Sequence, residues 1–288
     1  MPRFGAHMSI SGGLHLALER GHSIGCESIQ IFTRNQTRWA SKKRTPEELE
    51  QYRQTLSETG IAPVVAHAIY LINLASPDEP VRTKSEAAFE EELARCHEAG
   101  IPYLVMHPGS HKDTGLEQGI ARIARGINRA YASHPEFVPS EKNGVMCLLE
   151  NTAGQGSTIG RSFVELAQIA EQIDEPSAIG FCFDTAHGLA AGYELRTVEG
   201  YEATWAQFDK LLGIEKLHCF HLNDSKFDLR QRRDRHQHIG EGFLGLEAFR
   251  MLVNDPRFID LPMLLETPKS ADLREDVENL RKLKGLLA

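Results

Sequence analysis

The chain has 288 residues, 41% hydrophobic and 25% charged, and a formal net charge of −8 at pH 7; this length predicts one barrel-sized domain, residues 1–288. No apolar run is long enough to cross a membrane, and the N-terminus lacks the basic and then apolar pattern of a secretion signal. Five cysteines without Cys-x-x-Cys spacing indicate reduced thiols, which predicts a cytoplasmic protein.

Eight short apolar runs, each ended by a polar residue, recur along the chain. They are continuous rather than alternating, which is typical of parallel strands buried on both faces. In chain order their polar ends are His7, Thr33-Arg34-Asn35, His67, His107, Glu150, Asp184, His221 and Glu266. Helical patterns lie between the runs, for example over residues 46–59, 79–99 and 163–173. Eight strand–helix alternations predict an α/β fold of the (β/α)8 TIM-barrel class, with the active site at the C-terminal ends of the strands.

Six of these strand ends carry a side chain that can bind a metal ion. They are His67, His107, Glu150, Asp184, His221 and Glu266. A single His or Asp after a strand is usually a cap or a turn residue, but six at equivalent positions are difficult to explain in that way. Burying several carboxyl and imidazole groups at one barrel mouth without cations would be costly, so the pattern predicts a metal site.

A further ligand set lies in the loops that follow two of these strands. His187 comes three residues after Asp184, and Asp234 and His236 form an Asp-x-His pair. In an extended loop both side chains of that pair lie on the same side, so with His187 they predict a two-histidine, one-carboxylate site. Three divalent cations would change the net charge from −8 to −2, and the acidic composition therefore does not exclude a phosphodiester at the mouth.

Two loops at the predicted mouth carry residue types suited to nucleic acid. The loop over residues 33–39 contains two arginines, two amides and a tryptophan, which are able to contact phosphate and stack on bases. Its alternative interpretation is a packed Trp39 with solvated arginines. Tyr70 and Leu71 follow the third strand, where bulky residues either wedge into a base stack or cover the barrel rim.

Side-chain parity makes predictions for the strand interiors. Cys182 and Cys219 lie two residues before Asp184 and His221, so they should point into the barrel one layer below the site. We interpret them as small core residues rather than ligands, because free cysteine is among the most buried residue types. His218 has the opposite parity and should face the surrounding helices.

At this level of detail the sequence resembles the endonuclease IV family, the apurinic/apyrimidinic (AP) endonucleases of DNA base-excision repair. The similarity spans nearly the whole chain. It rests on Gly5-Ala6-His7, His67-x-x-Tyr70-Leu71-Ile72-Asn73-Leu74, His107-Pro108-Gly109-Ser110-His111, Leu149-Glu150-Asn151-Thr152-Ala153-Gly154, Asp184-Thr185-x-His187-x-x-Ala190-Ala191-Gly192-Tyr193, His221-Leu222-Asn223-Asp224-Ser225-Lys226, Asp234-Arg235-His236-x-x-Ile239-Gly240-Glu241-Gly242 and Leu265-Glu266-Thr267-Pro268.

The resemblance implies a barrel with three zinc ions. One zinc would be held by His67, His107 and Glu150, a second by Glu150, Asp184, His221 and Glu266, and the third by His187, Asp234 and His236. The implied DNA contacts are His7, Asn35, Gln36, Arg38, Tyr70, Leu71 and Arg235. One position departs from the family, which commonly has Arg directly after Asn-Gln, whereas Thr37 stands there and Arg38 follows. Either Arg38 takes that place, or Tyr70 and Leu71 do more of the wedging.

The implied activity is hydrolysis of the phosphodiester 5′ to an abasic site in double-stranded DNA, leaving a 3′-hydroxyl and a 5′-deoxyribose phosphate. Removal of 3′-blocking groups and a monomeric state are implied as well. Glu150 would be the catalytic residue that orients or deprotonates the attacking water. The alternative enzyme is a metal-dependent sugar isomerase or epimerase of the related barrel type, which would need fewer metals. A catalytically idle lesion binder or zinc store is the third hypothesis, and turnover distinguishes it from both enzymes.

Overall fold

The computed structural model describes residues 1–140 and 143–288, and within these ranges eight parallel strands close into a barrel. The barrel strands are β1 (Arg3–His7), β2 (Ser28–Phe32), β3 (Val64–His67), β4 (Tyr103–Met106), β5 (Met146–Glu150), β6 (Ile179–Asp184), β7 (Leu217–His221) and β10 (Pro262–Leu265). Two short strands, β8 (Asp224–Ser225) and β9 (His236–Gln237), form a separate antiparallel hairpin. β10 pairs with both β1 and β7 and so completes the ring. The predicted TIM barrel is confirmed.

Helices surround the barrel and connect successive strands. They are α1 (Leu14–Ser23), α2 (Pro46–Thr59), α3 (Glu79–Ala99), α4 (Leu116–Ser133), α5 (Phe163–Ala170), α6 (Thr185–Ala191), α7 (Val198–Leu212), α8 (Gly245–Val253) and α9 (Arg274–Lys284). Short 3-10 turns lie at Pro135–Phe137, Pro176–Ala178, Ile214–Lys216 and Pro256–Phe258. In the part of the chain that the structure describes, no helix combines the length and the apolar character needed to cross a bilayer.

Local capping explains why one predicted helix has the expected bounds. Thr45 accepts a hydrogen bond from the Glu48 backbone N–H, while the Glu48 side chain accepts one from the Thr45 N–H, which forms a capping box at the start of α2. α2 then ends at Gly60 in the left-handed conformation. Another helix, α5, was predicted over residues 163–173 but ends at Ala170, three residues earlier.

The lower interior of the barrel is filled by small and branched side chains. These are Val65, Val105, Leu148, Cys182, Cys219 and Leu264, all of them buried. Cys182 and Cys219 are direct neighbours in the β6–β7 register, and Asp184 and His221 are paired one layer above them. The predicted position of the two cysteines beneath the site is confirmed.

The prediction that His218 faces the helices is wrong. Phe181 pairs with Leu217 while the next residue, Cys182, pairs with Cys219, so His218 is the extra residue of a bulge in β7. The bulge shifts the inward and outward alternation of the β7 side chains by one residue, so the His218 imidazole points into the bottom of the barrel. There it stacks on the Tyr103 ring from β4, with ring centroids 5.5 Å apart.

Candidate metal centre at the barrel mouth

The structure brings all nine predicted ligands to one end of the barrel. His67, Glu150, Asp184 and His221 are the last residues of β3, β5, β6 and β7. His107 and Glu266 directly follow β4 and β10. His187 lies in the first turn of α6, and Asp234 and His236 lie in the loop and the second strand of the β8–β9 hairpin. The parallel barrel explains this convergence, since all its strands end at the same rim.

Glu150 lies at the centre of the cluster and is fully buried. Its Oε2 is 3.2 Å from His67 Nε2 and 3.1 Å from His107 Nε2. Its Oε1 is 3.0 Å from His221 Nδ1 and 3.2 Å from His187 Nδ1. Burial by itself would raise the pKa of Glu150, but the imidazoles of His221 and His107 hold this pKa well below its ordinary value. The carboxylate is therefore placed to bridge two neighbouring ligand groups.

His221 connects Glu150 to the next two carboxylates. Its Nδ1 is 3.3 Å from Glu266 Oε2 and 4.0 Å from Asp184 Oδ2. Burial opposes a positive charge on this imidazole, yet Glu266 and Glu150 raise the pKa of His221 well above its ordinary value. The same attraction lowers the pKa of Glu266 despite its burial. Three acids around one imidazole leave an excess of negative charge, which suits a cation.

The third group is built from α6 and the hairpin. His187 Nε2 is 3.3 Å from Asp234 Oδ1, and His236 Nε2 is 3.4 Å from the same oxygen and 3.6 Å from Asp184 Oδ2. Burial would raise the pKa of Asp234, but its hydrogen bond with His187 and the nearby imidazoles lower this pKa to about 2. Asp184 also accepts the His187 backbone N–H at 2.7 Å and so caps α6.

Hydrogen bonds on the outer side of the cluster orient the imidazoles. His67 Nδ1 lies 2.7 Å from the Ala68 carbonyl, and His236 Nδ1 lies 3.2 Å from the Glu266 carbonyl. His187 Nδ1 lies 3.0 Å from the Asn151 carbonyl. In each of these three rings the carbonyl fixes Nδ1 as the donor and leaves Nε2 free to bind a cation. This arrangement is common among histidines that bind metals.

The side chains fit divalent cations of the zinc type. Ligand atoms lie within 4.8 Å of one another in three groups: His67, His107 and Glu150; Glu150, Asp184, His221 and Glu266; and Asp184, His187 and His236. The first two match the sets that the family resemblance implies, whereas in the third Asp184 joins the histidines and Asp234 lies beside them. His236 Nε2 is buried and has no hydrogen-bond partner in residues 1–140 and 143–288, and a cation would supply the missing partner. Imidazole and carboxylate donors are the ligands that zinc prefers, together with thiolate.

Cys182, Cys219 and His221 form a further group with the same spacing. Both cysteines are buried among Val65, Val105, Leu148 and Leu264, one layer below Asp184 and His221. We therefore interpret these cysteines as core residues.

Sequence reasoning missed three amides that organise the cluster. Gln30 donates to Glu266 Oε1 at 2.6 Å, and its carbonyl oxygen lies 2.7 Å from His221 Nε2. Asn223 donates to Asp184 Oδ2 at 2.6 Å, and Asn151 accepts the Asp184 backbone N–H at 2.7 Å. A signal for Gln30 exists, because it is the single polar side chain within the apolar run over residues 29–32.

The residues predicted to contact DNA lie around the mouth, mainly on the β1–β3 side. His7, Asn35, Gln36 and Tyr70 line a cavity of about 610 Å³ beside Glu266. Tyr70 is 60% exposed and also lines a second cavity, of about 210 Å³, next to His107, His187 and Asp234. Leu71 is half-buried against the core. Arg38 is exposed in the same loop as Asn35 and Gln36, and Arg235 is exposed on the β8–β9 hairpin.

The other arginine of the second loop does not serve as a phosphate contact. Arg34 is buried, with Nε 2.8 Å from Glu92 Oε1 and Nη1 2.8 Å from Glu91 Oε2. The expectation that both arginines of this loop are available to phosphate is therefore wrong, because α3 supplies two carboxylates to one of them. Trp39 is half-buried against the core.

The fold and the ligand-rich mouth define a barrel that is able to bind metal ions. The family model described as "Xylose isomerase-like TIM barrel" matches residues 18–283. The "Probable endonuclease 4" of Chloroflexus aurantiacus is 52% identical over 287 residues, covering 100% of this chain and 99% of the relative. That of Geobacter sulfurreducens is 49% identical and covers 98% and 94% of the two chains. Endonuclease IV from Thermus thermophilus superposes with a TM-score of 0.86 at 33% identity, covering 99% of this chain and 98% of that one.

The chain belongs to the endonuclease IV family. The predicted family and the predicted class of enzyme, an endonuclease, are confirmed. A D-tagatose 3-epimerase-like protein also superposes, with a TM-score of 0.70, but at 17% identity this likeness shows the fold alone. The sugar isomerase or epimerase is accordingly the less supported hypothesis.

Proposed function

We propose that the protein is a zinc-dependent AP endonuclease. It hydrolyses the phosphodiester 5′ to an abasic site in double-stranded DNA, leaving a 3′-hydroxyl and a 5′-deoxyribose phosphate, and it removes 3′-blocking groups. The convergence of four carboxylates and five imidazoles at one barrel mouth is the observation that carries the proposal. The full-length relatives named endonuclease 4 support it. We further propose that it acts as a monomer in the cytoplasm, as one domain of residues 1–288.

The proposed ligands of three zinc ions are the sets that the family resemblance implies, and the first two coincide with groups of the cluster. The first set is His67, His107 and Glu150, the second is Glu150, Asp184, His221 and Glu266, and the third is His187, Asp234 and His236. When bound, zinc supplies Lewis-acid stabilisation of phosphate oxygens and lowers the pKa of water. The carbonyl partners of His67, His187 and His236 fix these rings before any ion arrives, so little reorganisation is needed.

Glu150 is the proposed catalytic residue. Its carboxylate is the shared member of the first two ligand sets, and its two oxygens face imidazoles on opposite sides. A carboxylate in that position is able to accept a hydrogen bond from a water aligned with phosphorus and to take its proton. Because Glu150 is fully buried, bulk water does not compete for its oxygens.

We attribute the selection of abasic DNA to residues at the rim of the barrel mouth. An abasic nucleotide has lost one base and its stacking, so it leaves the helix at a lower cost than an intact nucleotide. Tyr70 stands exposed between the two cavities and is placed to occupy the space that the missing base leaves. Asn35, Gln36 and Arg38 lie on the same side, where they would contact the backbone, with Arg38 taking the role of the arginine that the family has at Thr37.

The test uses a labelled duplex that contains one tetrahydrofuran residue, an abasic analogue that cannot undergo β-elimination. The protein is loaded with zinc, its zinc content is measured, and the duplex is incubated with and without chelator. We expect incision 5′ to the analogue, a new 3′-hydroxyl, and loss of incision with chelator. An uncut duplex in the presence of protein with three bound zinc ions would contradict the proposal.

A further inference from the structure

The loop that follows β2 is tied to helix α3 by buried charges that the proposed mechanism does not use. Arg34 of the loop and Glu92 of α3 are both buried, and Arg34 Nε donates to Glu92 Oε1 at 2.8 Å. The Thr33 hydroxyl donates to the other oxygen of Glu92. A second acid of α3, Glu91, accepts from Arg34 Nη1 at 2.8 Å. Because a buried charge is costly to leave unpaired, this network favours one position of the loop on the helix.

The Arg34 guanidinium also closes the loop on itself. Its Nη1 donates to the Trp39 carbonyl at 3.0 Å, and its Nη2 donates to the Ala88 carbonyl of α3 at 3.2 Å. One planar group therefore joins two points of the loop to each other and to the helix. Residues 35–38, which lie between Arg34 and Trp39, are all exposed. The exposed turn that carries three of the predicted DNA contacts thus has a fixed base.

A second arginine of α3 holds the later part of the loop. Arg95 is buried, and its Nη2 donates to the Lys42 carbonyl at 3.1 Å. The same nitrogen lies 2.6 Å from Glu91 Oε1, so the acid that faces Arg34 also fixes Arg95. The helix therefore anchors the loop on both sides of the exposed turn.

Within the exposed turn, two neighbouring side chains have different environments. Asn35 Oδ1 accepts the Thr37 N–H at 2.9 Å and the Thr37 hydroxyl at 2.8 Å, so Thr37 is engaged inside the turn. Arg38 is exposed, and no residue in 1–140 or 143–288 forms an ion pair with it. The anchored turn consequently leaves the charge of Arg38, rather than the Thr37 side chain, available to a phosphate.

We infer that Glu92, acting through Arg34, is a positioning residue that holds the exposed turn in its DNA-binding conformation. This inference rests on the proposed function, because it assigns the turn to the same DNA. Both side chains are buried, so they act through the turn and not on the DNA itself. A loop that is ordered only on binding lowers the affinity, whereas a loop fixed beforehand avoids that cost. Loss of the anchor should therefore weaken DNA binding and leave the chemical step unchanged.

The experiment compares two variants with one control. Glu92→Gln removes the charge that Arg34 faces, and the double variant Arg34→Met, Glu92→Met removes both charges. Because the double variant leaves neither charge unpaired, it should stay near the wild type in thermal stability, while the Trp39 carbonyl still lacks its donor. Glu86→Gln is the matched control, since this half-buried acid lies on the same helix and pairs with Arg129 of α4 instead.

The position of the loop is measured with and without DNA. KM and kcat are determined on the tetrahydrofuran duplex. Acrylamide quenching of tryptophan fluorescence reports on the loop in the free protein, because Trp39 is half-buried there and the other of the two tryptophans, Trp205, is fully buried. Zinc content and thermal unfolding are recorded for every protein.

In both variants we expect stronger quenching and a KM about 5- to 10-fold higher with kcat unchanged. The reason is that a loop that adopts its binding conformation about one tenth of the time binds about ten times more weakly. The control should match the wild type. When Arg38→Gln is already present, the same substitutions should raise KM by a smaller factor, since one of the contacts that they position is absent.

Wild-type KM and quenching in the double variant, with a wild type that cuts, would overturn the positioning role and leave the proposed function intact. A kcat that falls in parallel with zinc content would place the effect in the metal centre and would overturn the positioning role as well. A wild type that carries zinc but does not cut the duplex would overturn the proposed function. The quenching result would then still decide whether Glu92 anchors the loop.

Discussion

Gly242, in the turn that follows the β8–β9 hairpin, is in direct contact with Asp224 of β8. The Gly242 N–H donates to Asp224 Oδ2 at 3.0 Å, and a Cβ on Gly242 would lie 2.4 Å from Asp224 Oδ1. The carboxylate also accepts the backbone N–H groups of Ser225, Gly240, Leu244 and Gly245. One buried acid therefore organises the turn that follows the third ligand group, and only glycine fits against it.

The first prediction concerns this acid. In Asp224→Asn the amide NH2 must face at least two backbone N–H groups that now donate to oxygen. Each buried donor left without a partner costs about 1–3 kcal/mol, so we expect a loss of roughly 2 kcal/mol or more in the free energy of unfolding. Zinc should bind more weakly at the proposed third set than at the other two proposed sets, because Asp234 and His236 are on the displaced hairpin. Chemical denaturation and zinc titration measure both effects.

The control for that substitution is Asp228→Asn in the same hairpin. Asp228 is half-exposed and pairs with Arg196, so its loss should change the unfolding free energy much less than the loss of Asp224 does. Wild-type stability together with three tightly bound zinc ions in Asp224→Asn would refute the role given to Asp224.

The second prediction concerns Gln30, which sequence reasoning did not select. Its amide connects His221 Nε2 with Glu266 Oε1, so it fixes two ligands of the second set at once. We expect Gln30→Met to weaken zinc binding by about 10- to 100-fold, since this is the usual effect of removing a group that orients a ligand. Competition with a chelator measures the affinity. Gln168→Met, at an exposed position of α5, should leave it unchanged, and an unchanged affinity in Gln30→Met as well would contradict the assignment.

The ligands, Arg34 and His218 show which structural features a short stretch of sequence is able to predict. A strand end is a local feature, so a repeated apolar run followed by His, Asp or Glu was sufficient to predict the barrel and the convergence of six side chains. The other three ligands came from a second local pattern, the Asp-x-His pair and the histidine three residues after Asp184. Arg34 is different, because its burial depends on Glu91 and Glu92, which lie far away along the chain in α3. The bulge at His218 likewise depends on the β6–β7 register, which the β7 sequence alone does not reveal.

The third prediction concerns the proposed catalytic carboxylate. Glu150→Gln preserves the shape and one acceptor oxygen, so most of the zinc should be retained. The variant cannot take a proton from the attacking water, and turnover should fall by about 10²- to 10⁴-fold. Single-turnover incision of the tetrahydrofuran duplex, with zinc content measured on the same sample, tests this. Turnover near that of the wild type would remove Glu150 from the proposed mechanism.

The fourth prediction is a pH dependence of stability remote from the metal centre. Asp255 accepts hydrogen bonds from Tyr201 Oη at 2.7 Å and Arg257 Nη2 at 2.6 Å, and it joins α7 to the 3-10 turn Pro256–Phe258. Burial would raise the pKa of Asp255, but Arg257 and Tyr201 lower it below its ordinary value. A carboxyl group whose pKa is lower in the folded state stabilises the protein above the unfolded pKa, which is about 3.9.

Asp255→Asn should therefore cost about 1–3 kcal/mol at pH 7, as expected for a buried charged hydrogen-bond acceptor. The difference between wild type and variant should stay constant down to about pH 5 and then shrink as the pH falls through the unfolded and the folded pKa of the carboxyl group. Urea unfolding at a series of pH values provides the measurement. A difference that does not shrink at all between about pH 5 and about pH 2 would show that Asp255 acts through packing rather than charge, because the carboxyl group of the unfolded wild type takes up its proton in this range.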